Sequence, residues 1–253
     1  MFSYPKPSGL IKYLASLVLE EDDILLDFFS GSGTTAQAIM QLNDEIKVDA
    51  KYILVQLPEN LDLALSSSSG DSKTTIENAI DQLDKLKKPH ILTYLSLERI
   101  LRASNLKHLD STDVGFKVFE LQKSNLKKWN SGSQDLVTML GSMQENFEPG
   151  STEDDLVYEI MLKQGLELTL PIEKIVLGGS NIYKVAFGSL FIVLGQRITN
   201  DVANKIIEFI KADDLENVSV VFQDTGFVND GEKLNTIEQL NASGVQYDDI
   251  LTI

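Results

Sequence analysis

Apolar positions along the chain follow two rhythms. Between Gly9 and Leu19 they fall at 10, 11, 14, 17 and 18, the spacing of an amphipathic helix. Asp23-Ile24-Leu25-Leu26-Asp27 is a short continuous run that reads as a buried strand, and Tyr52 to Leu57 is another, stopped by Pro58. Between them, Phe28-Phe29-Ser30-Gly31-Ser32-Gly33 reads as a loop and Thr34-Thr35 opens a helix to about Leu42. This order of strand, loop, helix and strand predicts parallel strands with covering helices. The serine-rich stretch from Ser66 to Ser72 has the composition of a flexible loop. Beyond it Ile76, Ile80, Leu83 and Leu86 keep helical spacing until Pro89, a further helix is expected near Leu95 to Ala103, and Phe116 to Leu121 reads as a strand.

Asn130-Ser131-Gly132-Ser133-Gln134 is the linker by composition, with Trp129 beside it as a packing anchor, and it divides the chain into domains 1–130 and 131–253. The second half predicts a helix over Glu153 to Gln164 and strands near Lys174–Leu177, Ile182–Phe187 and Leu190–Leu194. A helix over Asp201 to Lys211 follows, capped by Thr199 or Asn200, with Val202, Ile206 and Ile210 on one face. Then come a strand over Val218–Phe222, a helix over Leu234–Asn241 and an extended segment from Gly244 to Ile253. The fold class expected is α/β, with a smaller mixed α/β domain at the C-terminal end.

Charge separates the halves more sharply than hydropathy. Residues 1–130 carry 15 basic and 18 acidic side chains, whereas residues 131–253 carry 7 and 20. A surface that neutralises DNA phosphates is basic, so the second half is a poor nucleic-acid surface and a soluble acidic one. The 253 residues contain no cysteine, which excludes disulfides, thiolate metal sites and a cysteine nucleophile. Two histidines, His90 and His108, do not make a histidine metal centre, and neither has an evident partner. The longest uncharged apolar stretch, Val185 to Gly195, is shorter than the ~20 residues of a membrane span, so a cytoplasmic protein without membrane contact is expected.

The informative segment is Asp27-Phe28-Phe29-Ser30-Gly31-Ser32-Gly33-Thr34-Thr35. Its glycines let backbone approach a ligand closely, and the helix starting at Thr34 offers free N–H groups and a positive dipole end to an anion. The loop leaves the C-terminal end of a strand, where open α/β sheets place ligands. A nucleoside-triphosphate loop needs a lysine after its glycines, and none follows. The dinucleotide pattern GxGxxA is met by Gly31, Gly33 and Ala36, but Gln56 stands about where the ribose-binding acid belongs. NAD is therefore the weaker of two adenosine-type readings, and the other is S-adenosylmethionine.

The same segment resembles the D-P-F-x-G-S-G-T-T motif of amino-methylating DNA methyltransferases, with Phe28 in place of the proline. Tyr4-Pro5-Lys6-Pro7-Ser8-Gly9-Leu10-Ile11 resembles the Lys-Pro-x-x-Leu-Ile element that precedes it in the β-class order. Tyr52 to Glu59, Glu98 to Ala103, Gly115 to Trp129 and Val220 to Asn235 are similar to the modification subunit of type III restriction-modification systems. The resemblance covers nearly the whole chain. It implies a partial Rossmann-like S-adenosylmethionine-binding sheet and methyl transfer to the exocyclic amine of adenine in duplex DNA. It also implies a homodimer that assembles with a helicase-nuclease restriction subunit.

The same resemblance assigns cofactor contacts. Phe29, Gly31 and Gly33 would line the cofactor, with Ser32 in the same loop. Asp27 would accept from its ammonium group, and Thr34 and Thr35 would hold its carboxylate, with Lys6 nearby. Gln56 stands where many relatives have a ribose-binding Glu, and an amide accepts one such bond. The D-P-P-Y element that holds the flipped adenine is missing: the six prolines stand at 5, 7, 58, 89, 149 and 171, never adjacent. The chain is expected to be a C-terminal portion, starting where the catalytic half would have ended, and silent alone with no catalytic residue of its own. A non-catalytic assembly module with a vestigial loop is the alternative.

Other residues have plainer readings. Phe28 is assigned to the core. Arg99 and Arg102 belong to a solvated helix face with Glu98. Asp224 and Asp230 serve a turn at Gly226, and Lys85, Lys87 and Lys88 favour a helix C-terminus.

Overall fold

The computed structural model describes residues 6–106, 113–126 and 147–253. Tyr4, Pro5, His108, Trp129, the 130–134 linker and the expected junction at 130/131 lie outside the described residues. The chain divides into two compact units, Met1–Phe116 and Lys117–Ile253.

In the first unit, α1 (Ser8–Ser16) leads to β1 (Ile24–Asp27), α2 (Thr34–Ile46) and β2 (Lys51–Leu54). β1 and β2 pair in parallel from Ile24↔Lys51 to Asp27↔Leu54, as the order of elements predicts. The ladder runs one step further through the Val55 N–H to the Asp27 carbonyl at 2.8 Å, after which Gln56 leaves the strand. Helices cover one face. Ala15, Ile39 and Leu42 pack with Leu25 and Tyr52, while Ala36, Met40, Ile100 and Ala103 pack with Tyr52 and Leu54.

The expectation of a buried β1 needs correction. On the opposite sheet face Ile24, Leu26, Ile53 and Val55 are each about half exposed (49%, 55%, 51% and 48%). Strand identity is local, but burial depends on what covers each face, and among the described residues only one face is covered. The α1 stripe behaves likewise. Leu10, Leu14, Leu17 and Val18 are exposed, and the residue buried against α2 is Ala15.

α3 (Leu61–Ser66), α4 (Asp71–Lys85) and α5 (Leu92–Ser104) complete this unit. The first of these is absent from the sequence expectation. Asn60 caps it, accepting from the N–H groups of Asp62 and Leu63, so the serine-rich loop shrinks to residues 67–70. Leu61, Ile76, Leu83 and Leu92 form the core of this helical group.

His90 joins the same group by bonding through both ring nitrogens, to Asp62 and to Asp84, at 2.9 Å each. These bonds raise its pKa above 6.5, with Asp84 the larger cause and Asp62 the next. A group raised on folding stabilises fully below its unfolded pKa and loses that contribution as pH rises through the folded value. An NMR titration of His90 is expected to show a midpoint above 6.5 that returns toward the ordinary value in Asp84→Asn.

Phe116 to Leu121 is not a strand. This segment straddles the two units and forms no ladder, Leu121 is fully exposed, and Phe119 packs edge-on to Tyr158. Phe116 packs into the core of the first unit, whereas Val118 is exposed like Leu121.

The second unit is a five-stranded mixed sheet between helices. α6 (Glu153–Lys163) precedes β3 (Ile172–Leu177), β4 (Ser180–Val185) and β5 (Leu190–Gly195). Then follow α7 (Asn200–Ala212), β6 (Ser219–Phe222), α8 (Asp230–Ala242) and β7 (Ile250–Thr252). The strand order is β3-β4-β5-β6-β7, antiparallel across the first three and parallel across the last three. Period-two alternation in β5 serves both layers. Phe191 and Val193 face α7 and α8, and Leu190, Ile192 and Leu194 face α6. β4 ends at Val185 rather than Phe187 because Ala186 and Phe187 take φ of 50° and 59° to turn the chain. Thr199 is the N-cap of α7 but its side chain caps nothing; Glu232 instead accepts from the Asn200 N–H at 2.8 Å.

α6 is anchored by two carboxylates. Glu153 accepts from the Tyr183 hydroxyl (2.5 Å), Asn181 (2.7 Å) and Lys174 (3.0 Å). Glu159 accepts from Ser124 (2.5 Å), the Asn125 N–H (2.7 Å) and Lys163 (2.8 Å). Burial raises the pKa of Glu159, but the bonds from Lys163, Ser124 and Asn125 outweigh it and hold the carboxyl at about 2. A depressed carboxylate stabilises above its unfolded pKa and loses that contribution as pH falls through the folded value, here between about 4.5 and 2. Glu159→Gln is expected to cost about 1–3 kcal/mol at neutral pH in denaturant unfolding, and to narrow the gap from wild type toward pH 2.

Candidate functional site

The loop after β1 is built by its own side chains. The Asp27 carboxylate accepts from the Phe29 N–H (3.1 Å) and from the Thr35 hydroxyl (2.6 Å), tying the strand end to the first turn of α2. The Ser30 N–H donates to the Val55 carbonyl (3.2 Å), and the Gly33 N–H to the Ser30 carbonyl (2.9 Å). Gln56 accepts from the Gly31 N–H at 2.8 Å through its side-chain oxygen, so the end of β2 holds the loop as well. Ser32 and Thr34 hydroxyls lie 3.2 Å apart.

Gly31 and Gly33 take φ of 54° and 73°, which other residues adopt only under strain. A Cβ on Gly33 would stand 3.1 Å from Ile100 and 3.3 Å from the Ser96 carbonyl. Gly33 is also the N-cap of α2, and no side chain caps that helix. The positive end of the helix dipole therefore lies at the loop without a side-chain cap from Gly33.

Eight of the nine expected site residues, Asp27, Phe29, Gly31, Ser32, Gly33, Thr34, Thr35 and Gln56, thus fall on one loop and the elements that hold it. Their local roles are more specific than the sequence suggests. The Thr35 proton is committed to Asp27, and one lone pair of the Gln56 carbonyl is committed to Gly31. Phe29 is 83% exposed, and Phe28, expected in the core, is 60% exposed with its ring 5.1 Å from that of Phe29. Both follow from the loop's projection beyond a two-stranded sheet. Lys6 is exposed just before α1 and makes no hydrogen bond or ion pair among the described residues.

α5 contributes residues that pattern reading assigned to a solvated face. Arg99 donates from Nη1 to the Ser32 hydroxyl (3.0 Å) and from Nε and Nη2 to Gln37 (3.2 and 3.0 Å). Burial lowers its pKa. Buried Ser96 donates to the Gly31 carbonyl. Arg102, by contrast, is exposed and pairs with Glu98 at 2.7 Å, as expected of a helix surface. No sequence spacing links residues 32 and 99; only the packing of α5 on α2 does. Asp224 lies in the Asp224–Gly226 turn as expected and pairs with Lys233, whereas Asp230 opens α8 instead of serving that turn. Among the described residues no helix is long and apolar enough to cross a membrane.

Against known proteins, residues 1–61 match the DNA methylase family, a span that contains α1, β1, the loop, α2 and β2. The type III restriction-modification enzyme StyLTI Mod subunit of Salmonella typhimurium strain LT2 is 34% identical over 117 residues, 46% of this chain and 16% of the relative. The EcoP15I Mod subunit of Escherichia coli is 27% identical over 234 residues, covering 89% of this chain and 31% of the relative. The EcoPI Mod subunit of Escherichia phage P1 is 24% identical over 230 residues, covering 90% and 32%. The chain spans no more than about a third of the length of these relatives. By sequence the chain is similar to type III restriction-modification Mod subunits over most of its length, and the segment that matches the DNA methylase family carries the glycine loop.

Proposed function

We propose that this chain is the S-adenosylmethionine-binding portion of a type III restriction-modification adenine methyltransferase. The observation that carries the reading is the loop itself. Two left-handed glycines and an uncapped α2 stand at the carboxyl end of a parallel strand, inside the segment that matches the DNA methylase family. This arrangement fits an adenosine-type ligand with an anionic end. Gly31, Ser32 and Gly33 bring backbone close, the start of α2 with Thr34 receives the carboxylate, and Asp27 keeps lone pairs for the ammonium. Gln56 retains one lone pair for a ribose hydroxyl, Phe29 offers an apolar ring, and Lys6 adds positive charge from the N-terminal side. When bound, the cofactor supplies an electrophilic methyl group.

In this reading residues 1–130 form the cofactor domain and 131–253 an acidic assembly domain. The first belongs to a partial Rossmann-like sheet. The open apolar face of β1 and β2 supports this, since parallel strands are ordinarily covered on both faces. No adjacent prolines supply an acceptor-binding element, so the chain alone does not methylate. Its partners are adenine-containing DNA, a restriction subunit and a second copy of itself, in the cytoplasm. The missing acceptor element also favours a second reading, a non-catalytic assembly module with a relic loop.

Calorimetric titration with S-adenosylmethionine, with NAD as the control, separates these readings. Binding of the first and not the second is expected, together with no transfer of labelled methyl to an adenine-containing duplex. No binding at millimolar cofactor would leave the assembly module. Methyl transfer by the pure chain would overturn its proposed silence.

A further inference from the structure

One face of α5 touches three consecutive residues of the glycine loop. Ser96 donates to the Gly31 carbonyl, Arg99 donates to the Ser32 hydroxyl at 3.0 Å, and Ile100 lies against the space where a Gly33 side chain would stand. Positions 96, 99 and 100 share one side of a helix, so a single surface supports the loop from behind. Two further bonds, from Arg99 Nε and Nη2 to Gln37, fix α5 against the first turns of α2.

Arg99 is half-buried and forms no ion pair among the described residues, while Arg102, one turn on, pairs with Glu98 in the open. Removing a guanidinium from water is costly unless its donors are satisfied, and here the loop and α2 satisfy them. Its planar fork bonds Ser32 and Gln37 together, which the single ammonium of lysine does not reproduce. The same side chains line a cavity of about 400 Å³ with Gln82, Leu95 and Leu106.

We propose that Arg99 is a positioning residue for cofactor binding, acting through Ser32 and Gln37 to hold the glycine loop in its binding conformation. The inference rests on the cofactor reading above. It requires no contact between Arg99 and the ligand, because the guanidinium acts through its bonds to Ser32 and Gln37.

The test uses the whole chain with Arg99→Ala, Arg99→Lys, Ser32→Ala and the double variant, and Arg102→Ala as a helix-surface control. Each is titrated with S-adenosylmethionine and recorded by amide NMR without ligand. Arg99→Ala and Arg99→Lys are each expected to weaken binding by at least tenfold and to move the Ser32 and Gly33 amide signals. Arg102→Ala is expected to do neither. Ser32→Ala combined with Arg99→Ala is expected to lose less than the sum of the two, because one contact is broken twice. Full binding in Arg99→Lys, or additive losses, overturns the proposal. Should the unchanged chain fail to bind, the cofactor reading fails, and unmoved loop amides in the Arg99 variants would then sink the positioning role separately. Ser32→Ala removes only a hydroxyl, so it keeps the contact testable if Arg99→Ala does not fold.

Discussion

Gly33→Val is expected to abolish S-adenosylmethionine binding and to destabilise the first unit by about 3 kcal/mol. Two costs combine. Gly33 sits at φ 73°, where a β-branched residue is strongly disfavoured, and its Cβ would press on Ile100 at 3.1 Å and on the Ser96 carbonyl at 3.3 Å. The Ile100 side chain has some freedom to rotate, but the backbone carbonyl of α5 does not. Relief requires the loop to lift from α5, which carries the α2 N-terminus with it. Gly9→Ala is the matched control. Gly9 lies within α1 with nothing within 4 Å of its missing side chain, so the change is expected to stabilise by about 0.5–1 kcal/mol and leave affinity unaltered. Denaturant unfolding and calorimetry on the two variants check both statements. Full cofactor affinity in Gly33→Val would show that the loop is not the site.

Gly226→Ala is expected to destabilise the second unit by about 3 kcal/mol without changing cofactor affinity. Gly226 is in ordinary backbone, so the penalty is spatial. An added Cβ would overlap the Gly195 carbonyl oxygen and stand 2.8 Å from the Ile198 side chain. Gly226 also donates and accepts in place: its N–H bonds the Gln223 carbonyl at 3.1 Å, and its carbonyl receives the Ile198 N–H at 2.9 Å. The turn after β6 is thereby pressed against the end of β5. This gives a packing reason for the Asp224-Thr225-Gly226-Phe227 segment, with Phe227 adding a ring 5.3 Å from Phe222. Thermal unfolding of Gly226→Ala should show a loss confined to the transition of the second unit. An unchanged transition would mean that β5 and the turn separate at little cost.

The two glycines differ in how far each could be foreseen. Gly33 is legible because strand, loop and helix follow one another within a dozen residues, and a glycine before a helix start has a local meaning. Gly226 is legible only as a turn, since its neighbours Gly195 and Ile198 are some thirty residues away. Phe116–Leu121 shows the opposite failure. Its alternation is that of a strand, yet a strand needs a partner, and pairing is a property of the sheet rather than of the segment.

From residues alone came the order of the elements other than α3 and the 116–121 segment, the parallel pairing of β1 and β2, the mixed α/β character of the second unit and the glycine loop with the residues on it. Each rests on periodicity or on chemistry acting across a few residues. Tertiary structure decided which apolar faces are buried, leaving the outer face of β1 and β2 open. It also gave His90 its two carboxylates, placed Glu153 and Glu159 at the centres of hydrogen-bond clusters, and brought Arg99 and Ser96 to the loop. The physical reason is separation along the chain: a bond such as that between Ser32 and Arg99 exists only once α5 has packed on α2.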